Sequence, residues 1–489
     1  MSAQTPRARL ERIARNVMIE RGLEPDFSAA AQAQADRLSE GTLNAPAPDV
    51  RDLRSLLWCS IDNDDSRDLD QLTVAEPGTA SGTILIRIAV ADVSGAVAKD
   101  SPLDQHAATN TTSVYTEAQI FPMLPPRLST DLTSLNPDED RLSIVVDAVV
   151  DPTGAVLSGN VYRALVRNQV QLAYSQVGPW LEGQAPVPDR IRAIAGLEAN
   201  LQLQDRAARA LATSRYALGA LDLETDEPKA VFEDGNVLDL KPREKNRASL
   251  LIEDFMIAAN GVTARFLESR QIPAIRRIVR SPERWARIVQ LAWDHQVRLP
   301  EQPDSKALSA FLASQRETHP DDFPLLSLSV LKLLGRGEYV AEVPGDATPG
   351  HFGLAVNAYT HSTAPNRRFP DLITQRLIKS ALAGQATPYA HDELVALAAR
   401  CTQQEDNANK VERAVRKSAG ALLLERRIGA KFDAVVTGAS EKGTWVRIWS
   451  PSIEGKLEVG EERYQVGDRL RVRLVRTDVE RGFIDFKPL

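Results

Sequence analysis

Apolar positions in the first fifty residues recur at helical spacing. Leu10, Ile13, Val17 and Met18 fall on one face, Arg9, Arg12 and Arg15 lie on others, and Gly22 is a natural stop. Ser28 is placed to cap a second helix running to Leu38, and residues 41–49, with Gly, Asn and two Pro, read as a linker. A helix-turn-helix unit and a helical extension packed on the next domain both fit this pattern. From Leu53 to about Val150 the pattern turns to strands. Thr83–Val90 alternates, and Leu142–Val150 is a continuous apolar run followed by the turn residues Asp151, Pro152, Thr153 and Gly154. Helical spacing returns over 190–215, 246–270, 305–335, 391–403 and 405–427, so the body reads as α+β. The last 60 residues change again. Lys431–Val436, Thr444–Trp449, Gly455–Val459, Asp468–Arg476 and Gly482–Phe486 predict five short strands, a pattern that suits a small closed barrel of the OB type.

Length and composition narrow the class. A chain of 489 residues with 43% hydrophobic and 26% charged residues is ordinary for a soluble multidomain protein. The N-terminus lacks the apolar core of a signal peptide, and no stretch approaches the ~18 apolar residues of a membrane span, so a cytoplasmic protein without a membrane partner is expected. Cys59 and Cys401 are the only cysteines, too few for a cysteine zinc site and too far apart to suggest a bridge. The net charge of −7 argues against nucleic acid as a partner, but residues 264–287 carry seven Arg against two Glu. An acidic chain can still present a basic channel, and Arg276, Arg277 and Arg280 are the candidates for its wall.

The densest chemical signal is Ser60-Ile61-Asp62-Asn63-Asp64-Asp65-Ser66-Arg67-Asp68-Leu69-Asp70-Gln71, with five carboxylates in nine residues. Like charges at this density raise one another's pKa unless a cation neutralises them. The six histidines are scattered, so the available ligands are oxygens, which suit magnesium, or manganese as the alternative, rather than zinc. A solvated acidic loop is the usual explanation of such a run. An EF-hand loop fails, because its glycine position holds Arg67 and its bidentate glutamate position holds Thr73.

These residues, with several later blocks in order, resemble the RNase II family of magnesium-dependent 3′→5′ exoribonucleases. Ile61 to Gln71 fits the opening motif of that family's RNB domain. Ala89-Val90-Ala91-Asp92-Val93-Ser94, Thr112-Ser113-Val114-Tyr115, Pro122-Met123-Leu124-Pro125 and Leu251-Ile252-Glu253-Asp254-Phe255-Met256 resemble successive blocks. His351-Phe352-Gly353-Leu354 leads to a last run, Tyr359 to Leu372, that includes Asn366-Arg367-Arg368-Phe369-Pro370-Asp371. The C-terminal barrel resembles an S1 RNA-binding domain through Phe432, Gly438, Gly443, Trp445, Val446, Gly467 and Asp468.

The helical spacing gives a small helical domain (1–45), and the resemblance implies an RNB catalytic domain (50–427) and an S1 domain (430–489) after it. It also implies hydrolysis of single-stranded RNA to nucleoside 5′-monophosphates by a monomer. Asp62, Asp68 and Asp70 would hold magnesium, with Gln71 a further ligand. Arg367 would contact the scissile phosphate, an ion pair with Asp371 being its structural alternative. Arg368 would join it on RNA, Tyr115 would stack the terminal base, and Glu412 would lie near the RNA end. On the barrel, Trp445 would stack bases while Arg471 and Arg473 meet phosphates. Two departures stand out. Gln71 replaces the fourth acid of the motif, and the helical N-terminal piece stands where the family carries cold-shock barrels, which would let structured RNA reach the enzyme. A catalytically inactive RNA-binding relative and a ribosome-associated factor using the S1 barrel are the rival functions.

Overall fold

The computed structural model describes residues 5–43, 49–224, 228–233, 236–242, 245–346, 349–440, 443–458 and 464–489. Most of the expected 41–49 linker lies outside the described residues. In chain order the first strands are β1 (Arg51–Asp52), β2 (Cys59–Asp62), β3 (Gln71–Pro77), β4 (Ile84–Ala91), a short hairpin of β5 (Val114–Tyr115) and β6 (Ile120–Phe121), then β7 (Asp140–Val150), β8 (Val156–Arg167) and β9 (Val170–Ala173). All but the hairpin form one seven-stranded sheet in the order β1-β8-β7-β4-β3-β2-β9. Neighbours from β8 to β2 are antiparallel, and β9 returns parallel beside β2. The helices Leu197–Ala217 and Arg247–Ser269 pack on this sheet and on each other, and β7 is buried along nearly its whole length.

The turn after β7 forms as its residues predict. Asp151 accepts the backbone N–H of Thr153 and Ala155 at 2.8 and 3.0 Å. Gly154 has φ +85°, and a Cβ there would sit 1.9 Å from the Ala210 carbonyl, so no other residue fits.

Helix boundaries differ from the expected ones in three places, the first being 190–215, which is a short turn, Asp189–Arg192, and the helix Leu197–Ala217 with Gly196 between them. The 305–335 segment is two helices, Ser305–Thr318 and Phe323–Leu334; Pro320 lies in the break, and Pro324 starts the second. The two C-terminal segments are one helix, His391–Leu424, because Gln404 interrupts only the apolar stripe. Elements not foreseen include the helices Pro102–Asn110, Tyr174–Leu181, Trp285–Asp294 and Phe369–Leu382, the ribbon of Ala274–Ile278 with Glu338–Glu342, and the hairpin of Pro228–Glu233 with Asn236–Pro242. The C-terminal strands, Lys431–Ser440, Gly443–Ile448, Ile453–Leu457, Arg469–Asp478 and Phe483–Pro488, close into the expected five-stranded barrel.

The helix Pro6–Glu20 is packed on the body. Thr5 caps it and Pro6 opens it. Leu10 and Ile13 enter the barrel's apolar cluster, while Ala14 and Met18 join Val411 and Val415 of the long helix and Val114 and Phe121 of the β5–β6 hairpin. Arg9 and Arg12 both reach Glu480 at 2.8 Å, pinning the helix to the barrel's last hairpin. Met18 is fully buried, so Met18→Ala is expected to destabilise the protein by about 3 kcal/mol in urea unfolding.

Candidate active site

The acidic run spans the β2–β3 connection. Asp62 ends β2, the loop turns at Asn63–Ser66, and Asp70 is the last residue before β3. The loop is held from outside. Ser134 Oγ donates to the Arg67 carbonyl and accepts from the Leu69 N–H, and the Leu135 N–H donates to the Leu69 carbonyl at 2.9 Å. Asp64 is tied down separately, accepting from Ser175 Oγ at 2.6 Å.

A second segment meets this loop. Residues 364–369 precede the helix Phe369–Leu382 and run beside Thr111–Ser113. The Ser113 N–H donates to the Arg367 carbonyl and the Phe369 N–H to the Thr111 carbonyl. This pairing brings Arg367 and Tyr115 to the aspartates. Arg367 Nε donates to Asp70 Oδ2 at 3.1 Å, and the Asn366 N–H donates to Asp70 Oδ1 at 3.2 Å. Tyr115 OH donates to Asp68 Oδ2 at 3.4 Å, while its backbone N–H donates to Glu412 Oε1 at 2.9 Å. Asp62, Asp68, Asp70, Arg367, Tyr115 and Glu412 thus converge.

Electrostatics explain what this cluster needs. Burial pushes Asp70 up to about 7, with Arg367 opposing and Asp68 adding to the rise. Burial likewise raises Asp62, again against Arg367 and with Asp68 adding. One guanidinium faces three carboxylates, so the oxygen-rich pocket is short of positive charge, and a hard divalent cation fits its donor set. As the side chains stand, no group of three His, Cys, Asp or Glu among the described residues forms a closed metal cage.

Several expected site residues are elsewhere. Arg367 does not pair with Asp371. That carboxylate is fully buried and accepts from Arg368 Nη2 at 2.7 Å and the Ala364 N–H at 2.8 Å. Arg368 is therefore a brace of the 364–371 turn and not a free RNA contact. Gln71 donates its amide N–H to the Thr363 carbonyl, tying β3 to the Arg367 loop. Arg276 is 3% exposed and donates twice to Glu342, at 3.0 and 2.8 Å, so it walls no channel. Arg277 is bidentate on Glu405, beneath the Tyr339 ring. Arg280 alone of the three is solvent-facing, paired with Glu338 at 3.4 Å. Arg276 and Arg277 are internal braces on Glu342 and Glu405, which composition does not reveal. On the barrel, Arg471 pairs with Asp433 and lies opposite it in register, Arg473 lies opposite Lys431, and Trp445 lies opposite Gly438. Asp433 and Gly438 are five residues apart on one strand, roughly 16 Å, so the tryptophan and these arginines do not form one patch. Asn366, which holds Asp70, carried no expected role, although it stands beside Arg367 in the quoted run.

Residues 50–384 match the RNB domain model and residues 430–489 match the RNase II-type exonuclease C-terminal S1 domain. The chain belongs to the RNB-domain family. Among its RNB relatives, Ribonuclease R of Thermotoga maritima is 32% identical over 89% of this chain and 64% of its own length. Ribonuclease R of Escherichia coli is 30% identical over 89% of this chain and 57% of its own length. The chain thus spans about three fifths of the length of these RNB proteins. A solved structure, Mycoplasma genitalium RNase R in complex with ribose methylated single-stranded RNA, shares the fold at a TM-score of 0.88 and 21% identity, over 99% of this chain and 78% of that one. No helix among the described residues of this RNB protein is long and apolar enough to cross a membrane.

Proposed function

We propose that this protein is a magnesium-dependent, hydrolytic 3′→5′ exoribonuclease that releases nucleoside 5′-monophosphates from single-stranded RNA. The observation that carries this reading is the contact of Arg367 with Asp70, beside Asp62 and Asp68, with the Tyr115 hydroxyl on Asp68. Only Arg367 Nε is engaged with a described residue, so its terminal nitrogens are left for a phosphate oxygen. Tyr115 is 40% exposed and offers a face for the terminal base. Glu412 fixes the hairpin that carries it. In the reaction, water adds to phosphorus, the P–O3′ bond breaks, and the departing 3′ oxygen takes a proton, which leaves the phosphate on the 5′ side of the released nucleotide. Asp62, Asp68 and Asp70 would hold magnesium, which when bound supplies an acidic water and positive charge beside the phosphate.

A 5′-labelled oligo(A) is expected to shorten stepwise with magnesium present, while a 3′-labelled one yields labelled mononucleotide from the start. Internal fragments, or no product with excess magnesium, would reject the reading. A second reading, an RNA-binding relative without activity, draws on Gln71 and on the lack of a closed carboxylate cage. The same assay decides between them.

Metal binding carries its own pH signature. Asp70 sits at about 7 without metal, and a cation has to displace its proton. A raised acid pKa means the proton is bound below about 7 and lost above it, so magnesium affinity rises with pH through that window. About tenfold weaker binding at pH 6 than at pH 8 is expected by calorimetry, with proton release at the lower pH. Asp70→Asn should flatten this dependence.

A further inference from the structure

The hairpin that carries Tyr115 is too short to hold its own shape. β5 and β6 have two residues each, pairing Val114 with Phe121 and Tyr115 with Ile120. Strand alternation puts the two pairs on opposite faces. Tyr115 and Ile120 are 40% and 58% exposed, whereas Val114 and Phe121 are buried. The depth at which the buried pair sits therefore sets the height of the Tyr115 ring beside Asp68.

Much of that seat comes from the N-terminal helix Pro6–Glu20. Ala14, Met18 and, just past the helix, Leu23 share one apolar cluster with Val114 and Phe121, completed by the long helix. Ala118, in the turn of the hairpin, enters the neighbouring cluster that holds Leu10 and Ile13. The chain beyond the helix is locked in place. Asn110 accepts the Glu24 N–H and donates to the Glu24 carbonyl, both at 2.8 Å, and Gln404 donates to the Gly22 carbonyl at 3.2 Å. Asn110 ends the helix that leads into β5, and Gln404 belongs to the helix that bears Glu412. The long helix also ties the hairpin by polar contacts, Glu412 to the Tyr115 N–H at 2.9 Å and Arg416 to Glu117 at 3.3 Å. These fix two points and leave the depth of the buried face to the apolar contacts. The N-terminal helix itself lies outside the part of the chain that matches the RNB model, residues 50–384.

We propose that the N-terminal helix positions Tyr115, with Met18 as the positioning residue, and so sets how tightly the 3′ end of a short RNA strand is held. A short strand makes few contacts and depends most on the stacked ring. The choice of a terminal base as the partner of that ring rests on the function proposed above.

Full-length Met18→Ala, Met18→Leu, Tyr115→Ala and the Met18→Ala/Tyr115→Ala double variant are compared on a short oligo(A) with magnesium. Leu312→Ala, in the separate apolar cluster of residues 285–334, controls for lost stability alone. Met18→Ala is expected to raise KM about tenfold with kcat within about threefold of the parent, and Met18→Leu, which keeps the volume, to restore KM. Tyr115→Ala should raise KM similarly, and adding Met18→Ala to it should raise KM no further. Amides of residues 114–121 should exchange hydrogen about tenfold faster in Met18→Ala than in Leu312→Ala. Ala14→Gly takes one methyl from the same cluster and should give the same pattern in a chain that loses less stability. The proposal fails if Leu312→Ala raises KM as much, if the Met18 and Tyr115 effects add, or if KM and exchange stay at the parent's values in folded Met18→Ala and Ala14→Gly. Faster exchange in Met18→Ala, beside a Tyr115→Ala chain whose KM is unchanged, would keep the helix as the hairpin's brace and overturn the stacked terminal base instead. In a chain that cleaves nothing, anisotropy of the same labelled strand in chelator gives the comparison; a tenfold loss there in Met18→Ala leaves this proposal standing and overturns the proposed activity.

Discussion

Asp70→Asn is expected to lower the single-turnover rate of RNA hydrolysis by about a thousandfold while leaving RNA bound. Cleaving a phosphodiester at neutral pH needs several kcal/mol from the cation that this carboxylate would hold, and each ~1.4 kcal/mol is a factor of ten. The substitution keeps the shape of the side chain. One amide oxygen can still accept either the Arg367 Nε–H or the Asn366 N–H, which now reach its two carboxylate oxygens. The amide nitrogen then meets the other donor, a local mismatch, but Arg367 is 43% exposed and can turn to solvent. RNA affinity should be kept or increased, because a buried negative charge beside the phosphate is gone. Single-turnover decay of labelled RNA and anisotropy on the same samples separate the two effects. A rate within about tenfold of the parent would show that the metal, if any, is held without Asp70.

Much of this arrangement was legible in the chain, for identifiable reasons. The β7 run, the turn after it and the barrel strands follow from local pattern, because their periodicity and turn residues leave few alternatives. The aspartate cluster and Arg367 were legible because closely spaced like charges have few structural uses and because blocks in order resemble a known family. What failed was any inference that needed a partner from far along the chain. Arg276 with Glu342 and Arg277 with Glu405 are charges of opposite sign brought together by the fold, 66 and 128 residues apart. A basic run announces its charge but not what neutralises it. The same holds for the long helix: apolar spacing marked two segments, whereas backbone continuity depends on the absence of a breaker at Gln404. Gln71 is the instructive case. It stands where the family has an acid, and the fold uses its N–H to fasten β3 to the loop that presents Arg367.

Arg367→Ala is expected to lower kcat by about a hundred- to a thousandfold, the usual cost of removing a donor aimed at charge that develops in a transition state. Arg367→Lys should fall between the two, because an ammonium cannot hold Asp70 through Nε and reach a phosphate oxygen with other nitrogens at once. A second effect separates this role from simple bracing. Arg367 is the main influence that holds Asp70 down against burial, so its removal moves Asp70 above about 7. The acidic limb of the pH–rate profile should shift to higher pH in Arg367→Ala, with part of the lost rate recovered as pH rises and Asp70 again becomes a free carboxylate. Added guanidinium should restore some rate without changing KM if the lost group acts on the reacting phosphate. A rise in KM alone, with kcat and the pH profile unmoved, would mean that Arg367 only grips the strand and that the charge of the breaking bond is met elsewhere.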